Sequence, residues 1–129
     1  MRTFLYALIL VLLATGIGYA RQESGETLNI QLGRERVIAG SRVKIKFLSI
    51  VEDSRCPINA RCIWAGTAKV RVAVSKGRAA ASVVELELGS EPLSATVYGY
   101  RLSLVDLRPQ KGDPRPILKK TAAIFISRR

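Results

Sequence analysis

Cys56 and Cys62 are the side chains in this sequence best suited to react with each other. They are its only two cysteines and lie six positions apart. Thiols so placed join when their surroundings are oxidising. Closing so small a ring restricts the unfolded chain and contributes about 2–2.5 kcal/mol in the chain-entropy model. Metal binding is the rival chemistry. It requires ligands beyond two thiols, and the chain contains no histidine.

The missing histidine also removes whole classes of catalyst. Ser-His and Cys-His arrangements are impossible without it, and so are the metal sites that depend on imidazole. Oxidised cysteines are not nucleophiles. Glu52 and Asp53 are adjacent and point to opposite sides of any strand that holds them. Glu85 and Glu87 share a strand face, where Lys69 and Arg71 are better partners for them than a substrate. The sequence therefore reads as non-catalytic, and no cofactor is expected.

The cysteines sit in residues 52–66, EDSRCPINARCIWAG, where turn formers replace the alternation found elsewhere. Asp53 and Ser54 favour a turn by bonding their side chains to nearby backbone N–H groups. An indole next to a small disulfide loop tends to bury its ring, so Trp64 is expected to pack on the core. Gly66 gives the chain freedom to turn or to pass close to its neighbours. Two uses of the segment compete. In one it is a folding staple, with Asp53 and Arg55 holding the loop and Trp64 filling the core. In the other it is a rigid recognition loop formed by Asp53, Arg55, Ile58, Arg61 and Trp64, which loses little entropy on binding.

A second candidate surface is electrostatic. The chain carries 21 lysines and arginines against 10 acids, a formal charge of +11 at pH 7. Such an excess attracts anions in general. Arg42, Lys44 and Lys46 fall on one side of a strand and form the best single cationic face. Protection of an exposed sheet edge is the plainer explanation for lysines in that setting.

The elements that must position these residues are strands. Apolar residues alternate with polar ones at Leu28, Ile30 and Leu32, and again at Val43, Ile45 and Phe47. The phase then slips to Leu48 and Ile50 as the next buried candidates, which predicts a β-bulge near Phe47 and Leu48. Val70, Val72 and Val74 form one strand face and Val84, Leu86 and Leu88 the next, with a hairpin turn at Lys76-Gly77-Arg78. Opposite charges pair best if Lys69 faces Glu87 and Arg71 faces Glu85, which sets Val70 against Leu86 and Val72 against Val84. Gly89-Ser90-Glu91-Pro92 is a turn. A short strand begins at Val97, and Tyr100, Leu102 and Leu104 alternate after it. Residues 106–116 read as an exposed, proline-rich connection, and Ala122 to Ser127 as the final strand. Seven or eight short strands without a helix predict an all-β domain, a small antiparallel β-sandwich or barrel with one short-range disulfide.

Export follows from the N-terminus. Arg2 precedes the apolar run Phe4 to Leu13, and Gly18 and Ala20 offer the small residues a signal peptidase accepts. The run is too short and too interrupted by glycines to span a bilayer, which needs about 20 apolar residues. Residues 1–20 are thus expected to be a cleaved signal peptide, with 21–129 forming a single β domain whose first residues, 21–27, are frayed.

The pattern D-S-R-C-P-x4-C-x-W-A-G at residues 53–66 resembles that of a widespread family of small bacterial exported proteins and lipoproteins. The resemblance extends through Tyr98-Gly99-Tyr100-Arg101-Leu102, then Leu104, Leu107, Pro109 and the last strand. It implies a secreted or periplasmic location and carries no activity with it. This chain lacks the lipid-attachment cysteine of many such relatives, so a lipid tether does not follow.

The function expected from these readings is that of a binding module for an anionic envelope polymer, such as a polysaccharide or lipid head groups, or for another exported protein. Nucleic acid is a poor fit, because the strand-borne cations are not interleaved with exposed aromatics. The alternative is a protease inhibitor that presents Arg55 or Arg61 from the disulfide-braced loop.

Overall fold

The structure is a computed structural model that describes residues 24–89, 92–115 and 119–129. The expected signal peptide lies outside the described residues, as do Ser90 and Glu91 of the predicted turn and Pro116 of the predicted connection. The described residues form eight strands and no helix. They are β1 (Gly25–Gln31), β2 (Glu35–Val37), β3 (Val43–Asp53), β4 (Ala68–Lys76), β5 (Ser82–Leu88), β6 (Ala95–Val97), β7 (Tyr100–Arg108) and β8 (Thr121–Arg128). Two antiparallel sheets of four strands result, in the orders β1-β8-β7-β6 and β2-β3-β4-β5. The all-β expectation holds, in the form of two facing sheets rather than one closed barrel.

Period two dictates this arrangement, since each strand turns alternate side chains toward the opposite sheet. Val43, Ile45 and Phe47 of β3 and Val70, Val72 and Val74 of β4 are fully buried, together with Leu86 of β5. Ile30, Leu102, Leu107 and Ile124 cover them from the other sheet. Phe47 is the largest of these side chains, and removing a buried phenyl ring costs about 3–5 kcal/mol in general.

Charge pairing and burial agree on the β4–β5 register. Val70 faces Leu86, Val72 faces Val84, Lys69 faces Glu87 and Arg71 faces Glu85, as expected. The two ion pairs close at 3.5 and 2.8 Å. The bulge in β3 is also present, as a register shift between Phe47 and Ser49. Its extra residue is Leu48, which is exposed rather than buried. Adding one residue opposite Arg71 leaves two neighbours on the outer side, so burial resumes only at Ile50. A second shift between Ile50 and Glu52 had no sequence signal, and it leaves Val51 exposed.

Other boundaries moved for local reasons. Gly25 to Thr27 are paired with Ser127 to Phe125 in β1, not frayed. Leu32 has left the strand and is exposed, because the chain turns there toward the other sheet and Gly33 N–H bonds to the Phe47 carbonyl at 2.8 Å. Val97 ends a strand instead of starting one. Tyr98 and Gly99 follow with φ of 52° and 78°, the two left-handed residues that a tight two-residue hairpin requires. The predicted connection begins later than residue 106, since β7 runs to Arg108 and buries Leu107.

Candidate functional site

Residues 54–67 join β3 to β4, and the last ladder pair before them is Asp53 with Ala68. The neck closes by backbone and hydroxyl bonds. Ser54 N–H donates to the Thr67 carbonyl at 2.8 Å, and Thr67 N–H donates to Ser54 Oγ at 3.0 Å. Beyond the neck, Cys56 and Cys62 are joined in a disulfide, with Cα atoms 5.8 Å apart. Ala60 N–H donates to the Pro57 carbonyl at 3.1 Å inside that ring. Gly66, at φ 71°, passes directly against the backbone of Ser54 and Arg55.

Arg55 secures the loop from within. Its Nε donates to Asp53 Oδ1 at 2.8 Å and its Nη2 to Oδ2 at 2.9 Å, a two-pronged pair. Its Nη1 then reaches the Leu107 carbonyl at 2.6 Å and Nη2 the Pro109 carbonyl at 3.3 Å. Asp53 ends a strand of one sheet and Leu107 lies in a strand of the other, so one guanidinium links both sheets at this end of the molecule. The planar fork suits this task, since it can bind a carboxylate along one edge and carbonyls along the other. The bonds from Arg55 hold the Asp53 carboxyl below its ordinary value of 3.8, partly offset by burial.

The loop following β7 completes the frame. Ile58 N–H donates to the Lys111 carbonyl at 2.9 Å, and Lys111 Nζ donates to the Asp53 carbonyl at 3.0 Å. In this second loop Arg115 pairs with Asp113 at 2.7 Å and lowers its carboxyl to about 2.

The five recognition-loop residues thus divide. Asp53 and Arg55 turn inward, with side chains only 25% and 16% exposed, and act as the brace. Ile58, Arg61 and Trp64 remain outside. Trp64 corrects the sequence reading: its side of the loop faces solvent and the residue is 61% exposed. The core was expected to receive an indole here. Instead it is Arg55 that folds inward, and Ile63 and Trp64 are left exposed.

Arg42, Lys44 and Lys46 are all exposed. Lys44 and Lys46 share the outer face of β3, and Arg42 immediately precedes that strand. Edge protection does not explain them, because β3 is flanked by β2 on one side and β4 on the other. Their neighbours on β4 are the small Ser75 and Ala73, opposite Lys44 and Lys46 respectively. One loose ion pair, Lys44 to Glu35 at 3.9 Å, lies on this face.

Sequence reasoning missed the reach of Arg55 to residues 52 and 54 positions away. A signal was nevertheless present. Aspartate two residues before arginine occurs at Asp53-Arg55, Asp106-Arg108 and Asp113-Arg115, and each closes into an ion pair at 2.7–2.8 Å. Residues two apart on extended chain lie on the same side, which makes that spacing a ready ion pair. Comparison with protein-family models, curated proteins and solved structures gave no match.

Proposed function

We propose that this protein is a non-catalytic binding module that works in an oxidising, exported compartment and takes an anionic envelope polymer as its ligand. The Cys56–Cys62 disulfide, the apolar N-terminal run and the resemblance to small exported proteins support the compartment. The ligand class rests chiefly on one observation. Lys44 and Lys46 stand on the outer side of an interior strand, with Arg42 just before it and the small Ser75 and Ala73 beside them on β4, where shielding of an edge is not needed.

Heparin serves as the probe for this face. Retention of the protein is expected to fall steeply with added salt, because exposed charges are screened within about 8 Å at physiological ionic strength. Lys44→Glu with Lys46→Glu should elute at distinctly lower salt than Lys119→Glu with Lys120→Glu, which changes net charge equally. Equal shifts in the two double variants would mean that only overall charge matters, and the β3 face would cease to be a site.

A second reading, protease inhibition by the braced loop, is favoured by the exposure of Arg61 within a covalently closed ring. Arg55 does not serve it, since its donors are held by Asp53, Leu107 and Pro109. The binding-module reading expects a trypsin-like protease to keep full activity with an equimolar amount of this protein. Stoichiometric inhibition that disappears in Arg61→Ala would establish the inhibitor instead.

A further inference from the structure

The disulfide loop carries three apolar side chains that neither sheet covers. Ile58 is 53% exposed, Trp64 61% and Ile63 98%. Apolar residues scattered singly over a surface are ordinary, whereas a group on one short, rigid segment marks a contact site. This segment is rigid in a specific sense. The disulfide closes residues 56–62 directly before Ile63 and Trp64, Arg55 ties the base of the loop to both sheets, and the Lys111 carbonyl accepts from Ile58 N–H within it. Little ordering remains to be done on binding.

Charge points to the occupant. Residues 54–66 contain no acid. Arg61 is exposed within the ring. Six of the ten acids in the chain are already matched in local ion pairs, which leaves the surplus of cations uncompensated.

Size points the same way. A stable protein partner needs roughly 800 Å² from each side, while even a large aromatic side chain buries only about 150–250 Å². Three exposed side chains on one loop fall short of the first figure. A bilayer surface accepts such a loop, because tryptophan settles at the level of the headgroups and a cation nearby rests on lipid phosphates.

We propose that the Cys56–Cys62 loop docks this protein on an anionic lipid bilayer. Ile63 and Trp64 enter the headgroup boundary, and Arg61 contacts the lipid phosphates. The loop leaves the far end of β3 from Lys44 and Lys46, so roughly 20 Å of extended strand separates it from the cationic face. Either surface can bind without the other.

Trp64 is the only tryptophan in the chain, so its fluorescence reports this contact alone. The oxidised protein is titrated with vesicles of phosphatidylglycerol and, separately, of phosphatidylcholine. With phosphatidylglycerol the emission should shift to the blue and be quenched by brominated acyl chains, and phosphatidylcholine should give far less of both. Ile63→Ser, read by the same emission, and Trp64→Ala, read by sedimentation with vesicles, should each weaken binding by about tenfold. Both residues are exposed, so unchanged unfolding midpoints confirm that the variants fold. No shift with phosphatidylglycerol overturns the proposal. So does sedimentation unchanged by either substitution, which would reduce the contact to charge alone. A shift obtained only with a protein partner, and with neither lipid, would make the loop a protein-docking element and overturn it equally.

Discussion

Gly66→Ala is expected to destabilise the protein by about 3 kcal/mol or more, enough to lower its melting temperature by about 10 °C or more. Two costs combine at this position. Its φ of 71° is in the left-handed region, which a side chain tolerates at a cost of about 1–2 kcal/mol. A Cβ there would also press on the Ser54 carbonyl and lie 2.7 Å from the Ser54 carbonyl carbon and 2.8 Å from the Arg55 Cα. Those are backbone atoms, fixed by the bonds between Ser54 and Thr67, and they cannot rotate away. Gly77→Ala supplies the control. Its φ of 57° is similar, but nothing lies within 4 Å of the added methyl, so only the conformational cost of about 1 kcal/mol should appear. Thermal unfolding of both variants separates the close approach from the dihedral angle. Equal losses would mean that the loop does not pass against its own base as described.

Arg55→Ala should cost about 2–3 kcal/mol by denaturant unfolding at neutral pH. The substitution strips the Asp53 carboxylate of both its guanidinium bonds and leaves the Leu107 and Pro109 carbonyls without their donor. Breaking a fully buried ion pair costs about 3–5 kcal/mol, and the partial exposure of this one places the loss lower. Arg55→Lys should recover little, since an ammonium cannot span a carboxylate and two carbonyls at once. Arg115→Ala has the same spacing to its aspartate. Its guanidinium side chain is 67% exposed and reaches no carbonyl of the other sheet among the described residues, so its loss should be smaller than that of Arg55→Ala.

The same pair fixes the direction of a pH dependence. The folded-state pKa of Asp53 is depressed, first by its bonds to Arg55. Its contribution to stability is therefore complete above the ordinary value of 3.8 and is lost as pH falls through the lower, folded value. The difference in stability between wild type and Arg55→Ala should narrow over that acid range. A difference that stays constant to the lowest pH would show that Arg55 acts without Asp53.

What could be read from the sequence followed the range of the interaction. Alternation is local, so β4, β5 and β8 were legible, and opposite charges on β4 and β5 identified their register. The bulge at Leu48 was visible as a change of phase, yet its consequence was not. Two outward residues in succession look the same in sequence as a shift of the buried set. The short β2 strand carried too few residues for any pattern. The Tyr98-Gly99 hairpin was hidden because tyrosine seldom adopts a positive φ, and the two flanking strands read as one. At the loop, the disulfide and the ion-pair partner of Arg55 followed from spacing. The orientation of Trp64 did not, because it depends on which side chain takes the inward position. That is settled by the carbonyls of Leu107 and Pro109, which approach only after both sheets have formed.

The outward position of Trp64 links the brace to the proposed docking role of the loop, and its fluorescence in the free, oxidised protein tests that link most directly. Emission close to that of indole in water, with ready quenching by acrylamide, is the predicted result. A blue, shielded emission in the absence of any ligand would place the ring in the core and contradict the account.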